Sequence, residues 1–187
     1  MFQNIIELDN DFVNKTKYDQ NFLLNHKLCN DLGFPPSYIE YVCMFGWGRL
    51  CNLFLIYVPL KKTHPDSWGA GSKYIRKLMN DFYGEIETEK DIFPLLEPDG
   101  SVELVNNAIP FAMSENGEYL IWDVLNPNER GEFPIYVIAS RMGGIRYGGD
   151  DLLHFIKSCI DDDEIKKVMG SGYTKLPPSF EPLNELL

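Results

Sequence analysis

Residues 32–50, LGFPPSYIEYVCMFGWGRL, and residues 114–123, SENGEYLIWD, decide the fold of this chain. In the first stretch Gly33 ends whatever precedes it, and Pro35-Pro36 fixes φ ahead of a helix. Ser37, with Glu40 three residues on, has the form of a capping box. From that start Tyr38, Val42 and Phe45 recur at i, i+4 and i+7 with Ile39 beside them. The spacing therefore predicts a helix over 37–45, stopped by Gly46 and Gly48. In the second stretch Asn116-Gly117 lies between FAM and YLIW. That predicts a hairpin with a type I′ turn, φ > 0 at both residues.

Outward from these two pieces the periodicity predicts a helix within 21–32 and a strand from Arg49 to Val58 that Pro59 ends. A loop follows over 63–71, then a helix near 72–82 with Tyr74, Ile75, Leu78, Met79 and Phe82 on one side. Strands are expected near 101–105, 109–113, 118–124 and 134–139. RMGGIRYGG (141–149) reads as a turn, and 151–160 as a helix burying Leu152, Phe155, Ile156 and Cys159. Asp161-Asp162-Asp163 can begin one more short helix. The strands between 101 and 139 leave no room for the helical crossovers a parallel sheet needs. The fold class is therefore α+β, a mainly antiparallel sheet flanked by helices, with helices at both ends of the domain. Residues 1–20 read as an N-terminal leader packed on or extending the domain and 21–169 as a single domain. Residues 170–187, with scattered Gly, Pro and Ser, read as a C-terminal tail that is poorly ordered or draped along the surface.

The chain has 187 residues, 44% hydrophobic and 13% aromatic, enough for one substantial core. No apolar run approaches the roughly 20 residues of a membrane span, and MFQNIIELDND lacks the basic and apolar regions of a secretory signal. A cytoplasmic location is the expectation. Cys29, Cys43, Cys51 and Cys159 have no C-x-x-C spacing and read as reduced thiols in or near the core. The net charge of −11 is concentrated. Seven acids against one lysine occupy 85–103, and six against one occupy 150–164. Such a surface repels phosphate backbones and anionic membranes, so nucleic acid and membrane are not expected partners, whereas a basic protein is. Solvated faces that keep the chain soluble are the plainer reading of both clusters.

Few residues suggest chemistry. GAGSK (69–73) lacks the phosphate-loop spacing, and 141–149 lacks the order of a dinucleotide fingerprint. His26, His64 and His154 have no i, i+4 partner or finger-spaced cysteine, so no metal site and no cofactor is expected. No nucleophile elbow is present, and catalytic residues are not expected. Glu85, Glu87, Glu89 and Asp91 alternate, and in an extended segment would line one face. They are candidate partner-binding residues, against the alternatives of an edge made repulsive to aggregation or a solvated loop. Trp47, in the aromatic loop after the first helix, is the next candidate.

The order of these motifs resembles the SUKH superfamily, which joins the yeast cell-wall-assembly regulator type (Smi/Knr) with many bacterial proteins. The resemblance rests on Leu32-Gly33, Pro36, Tyr38, Tyr41, Phe45-Gly46, Ile109 to Ala112, Asn116-Gly117, Tyr119, Trp122-Asp123, Ile135 to Val137 and Leu152 to Ile156. It covers about 21–160. Trp47 stands where the family turn is richer in glycine, and the segment 61–91 is long for the family. The resemblance implies a non-catalytic α+β binding module. Its bacterial members look like immunity proteins that neutralise a cognate polymorphic toxin, often a nuclease. The alternative it implies is a regulatory scaffold for a cellular protein partner, as in the eukaryotic Smi/Knr-type proteins. An enzyme or small-molecule binder with a cleft beside the sheet is the third reading. Oligomeric state is not legible.

Overall fold

A computed structural model describes residues 2–8, 12–60, 64–84 and 89–183. Seven strands, β1 (Gly48–Leu50), β2 (Phe54–Ile56), β3 (Ile109–Ser114), β4 (Tyr119–Trp122), β5 (Ile135–Ile138), β6 (Ile145–Gly149) and β7 (Phe180–Pro182), form one sheet. Its order is β6-β5-β4-β3-β2-β1-β7, and every pairing is antiparallel. β1 to β6 are thus a meander, and the C-terminal β7 returns to lie beside β1. Seven helices flank it among the described residues: α1 (Gln20–Asn25), α2 (Pro36–Met44), α3 (Trp68–Gly84), α4 (Glu89–Leu96), α5 (Val102–Asn107), α6 (Leu152–Cys159) and α7 (Glu164–Val168). The fold is α+β, as the sequence predicts.

Register assigns the faces. Phe54 pairs with Ser114, Ile56 with Ala112, Ala112 with Leu120 and Leu120 with Val137, so these residues share one face. Helices α2 and α6 cover it: Tyr38 meets Trp122 edge-on at 5.1 Å and Phe155 meets Phe54 edge-on at 5.2 Å. Phe111 stacks on Trp122 at 4.1 Å in the middle of this layer. The opposite face runs through Leu55, Met113, Tyr119, Ile138 and Ile145. There α3 packs along β3, and Gly71 of α3 comes so near Tyr57 that a Cβ would lie 2.5 Å from its ring. No larger residue fits that contact.

Both sheet edges are covered. Ile145 of β6 donates its N–H to Glu97 O (3.1 Å) and accepts from Asp99 N (3.0 Å), so 97–99 lies along the β6 edge. At the other edge Glu7 N donates to Pro178 O at 2.6 Å, and Pro182 gives β7 one fewer donor to offer another strand. Covered, proline-bearing edges remove templates for sheet-to-sheet association.

Several expectations are corrected. Arg49–Val58 is two strands, because Cys51 and Asn52 take positive φ (53° and 51°) and turn the chain inside an apolar run that hides the turn. Residues 101–105 are not a strand: Ser101 accepts from Leu104 N and caps α5. The 141–149 turn contains β6, and part of the tail is β7. The 116–117 hairpin is present, but only Gly117 has positive φ (95°), and its N–H donates to Ser114 O. This is a three-residue loop with a left-handed glycine, not type I′. Ser37 does not cap α2: the helix begins at Pro36, and no side chain bonds to its N-cap position, Pro35.

Candidate partner-binding surface

The polar groups near the β6 end of the sheet divide into two sets. On the α2/α6 side Glu132 is only 6% exposed. Asn128 Oδ1 accepts from Arg130 N (2.9 Å) and Glu132 N (3.1 Å), folding the β4–β5 loop so that Glu132 turns inward. Its carboxylate accepts from Ser37 N and from Ser37 Oγ, both at 2.7 Å, and Ser37 Oγ in turn accepts from Leu152 N at 3.1 Å. One carboxylate 95 residues away thus serves the first turn of α2, and through Ser37 also that of α6. Burial pushes the Glu132 carboxyl above its ordinary range, outweighing the Ser37 hydrogen bonds that pull it down. These groups are occupied in holding the fold.

The opposite side of the sheet carries a second set. Tyr136 and Tyr147 are cross-strand partners on β5 and β6, with rings edge-on at 5.5 Å. Asp99, after α4, accepts from Tyr147 N at 2.9 Å, and Asp150, just past β6, accepts from the Tyr147 hydroxyl. Asp99 belongs to the first acidic stretch of the sequence and Asp150 to the second, so the fold brings both to one tyrosine. Burial first, and then these carboxylates, hold both phenols above their usual range, with Asp150 acting on Tyr147 and Asp123 and Asp99 on Tyr136. Tyr147 remains 37% exposed. Close to this set, His154 Nδ1 lies 3.8 Å from Asp150, and the Arg130 guanidinium reaches Asp151 at 3.4 Å. The surface is negative, aromatic and open.

The residues singled out in the sequence fall elsewhere. Glu85 and Glu87 lie outside the described residues. Glu89 and Asp91 belong to α4, a helix where an extended segment was expected. Trp47 is 6% exposed, edge-on to His64 at 5.0 Å, and so does not present an aromatic surface. Sequence reasoning missed Tyr136 and Tyr147. The available signal was the single tyrosine inside each of IYVI and IRYGG, which alternation puts on one face once β6 is recognised as a strand. Among the described residues no group of three His, Cys, Asp or Glu is placed to hold a metal, no helix is long and apolar enough to cross a membrane, and the four cysteines are unpaired thiols. Comparison of the chain with models of known families, with curated proteins and with solved structures gives no match.

Proposed function

We propose that this protein is a SUKH-type immunity protein, which binds and neutralises a cognate polymorphic toxin, of nuclease type, by direct non-catalytic contact in the cytoplasm. The observation that carries the reading is the convergence of Asp99 and Asp150, from separate acidic stretches, on the exposed Tyr147. Nuclease domains hold phosphates in basic clefts, and an acidic surface occupies such a cleft through fast, salt-sensitive association. The motif order and the α+β architecture agree with the resemblance, and the net charge of −11 disfavours nucleic acid itself as the ligand.

Protection is the test. Toxin domains of nuclease type from the genes flanking this one are expressed with and without the protein, and growth, complex formation and nuclease activity are followed. The reading expects rescued growth and a stoichiometric complex in which cleavage stops. Stable binding to a cellular protein with no toxin inhibited would instead favour the regulatory scaffold.

A further inference from the structure

The face of the sheet on which α3 packs is closed along its middle, while Leu55, Met113, Tyr119 and Tyr136 on it are half-buried. Ile121, Ile138 and Ile145, which share it with the two tyrosines, are wholly buried. Cover thins at the row of Tyr136, which is half-buried, and Tyr147, which is exposed. Phe93 on α4 and Val102 on α5, the helices on either side of Asp99, are exposed as well, at 63% and 43%. Carboxylates alone would be an ordinary solvated face. The exposed ring of Tyr147, with the half-buried Tyr136 edge-on to it, is a different feature, because aromatic area left open on a sheet is area available to a partner.

The chemistry of the occupant follows from what surrounds the rings. Asp99 and Asp150 flank Tyr147, and Asp150 fixes its hydroxyl, so the ring is held in place before anything binds. A planar guanidinium can lie over a phenol face and still offer paired N–H donors to a neighbouring carboxylate. A lysine ammonium supplies the charge without the plane. An anionic or apolar partner meets repulsion or unpaired carboxylates. We propose that the Tyr136–Tyr147 face docks an arginine-bearing segment of a basic protein, with the rings as stacking platform and Asp99 and Asp150 as its ion-pair partners. This rests on the immunity reading only for the identity of that protein.

The test uses nona-arginine as probe, with ring resonances of the tyrosines followed by NMR and affinity by calorimetry. Asp99→Asn with Asp150→Asn keeps the shapes and acceptor oxygens while removing two charges. Asp162→Asn with Asp163→Asn removes the same charge from exposed ion pairs near α7. The first pair should weaken binding about tenfold and the second less than about twofold, with thermal melts unchanged in both. Tyr136 and Tyr147 rings should shift, and nona-lysine should bind more weakly. Equal loss in the two variants, unmoved rings, equal nona-lysine affinity or equal competition by spermine would overturn the proposal, as would self-association through these rings. Because the probe is not a toxin, a failed protection assay with intact nona-arginine binding would reject the immunity reading alone.

Discussion

Glu132 and Asp150 both lie close to the N-termini of α2 and α6, and they do opposite things. Glu132 is enclosed, and its two oxygens are used by Ser37, which also accepts from Leu152 N. Asp150 is largely exposed, bonds Tyr147 and faces outward beside Asp99. One carboxylate joins elements distant in sequence, while the other adds charge to a surface. In sequence they are alike, acids in polar loops. What separates them is burial, with Glu132 enclosed and Asp150 left exposed although Tyr147 donates to it, and that is decided only by tertiary structure.

The difference can be broken by substitution. Glu132→Ala leaves the Ser37 N–H and hydroxyl unpaired in a buried place and should cost about 2–3 kcal/mol, read as a drop in denaturation midpoint. A value near zero would show that solvent reaches Ser37 and that Glu132 is not structural. Glu118 extends the inward class: buried in the hairpin, it accepts from Ser114 Oγ and, at 2.5 Å, from the Tyr173 hydroxyl of the C-terminal segment. Tyr173→Phe should therefore cost about 1 kcal/mol and loosen protection of β7 in hydrogen exchange. Asp150→Asn, on the outward side, should change stability by less than about 0.5 kcal/mol.

A pH arm sharpens the same contrast. A carboxyl raised by burial binds its proton more tightly folded than unfolded. Its stabilising contribution is present below the unfolded pKa and is lost as pH rises through the folded one. Glu132→Gln, which cannot ionise, should remove that loss. Wild type should thus decline relative to the variant as pH rises out of the acid range. A constant difference between the two across that window would show that Glu132 titrates as an ordinary exposed acid.

How much of this was legible in the sequence depended on how local each cause was. The helix after Gly149 with its apolar stripe and the glycine of the 116–117 hairpin are local, and both were readable, whereas Asp151, read as helical, is the cap of α6. Ser37 has the form of a cap but is claimed by Glu132 across 95 residues, so no window could reveal its role. Cys51-Asn52 turned an apolar run without glycine or proline to mark it. The glycines of 141–149 suggested a turn because β6 gains its order from β5 and from 97–99 rather than from its own propensity. The acidic stretches were legible as charge, and their meeting at Tyr147 was not.

In the proposed division of roles the outward acids act on a partner's approach while the inward ones hold the fold. The direct measurement is the association rate of the toxin domain against which the protein protects, by stopped flow at two ionic strengths. It compares wild type with the Asp99→Asn/Asp150→Asn and Asp162→Asn/Asp163→Asn proteins. Charges at an interface rim govern encounter, so the first variant should associate about tenfold more slowly at low salt, with dissociation little changed and most of the salt dependence gone. The second should stay within about twofold of wild type. Equal association rates for all three would contradict the claim and leave the acids at Tyr147 as solubilising charge.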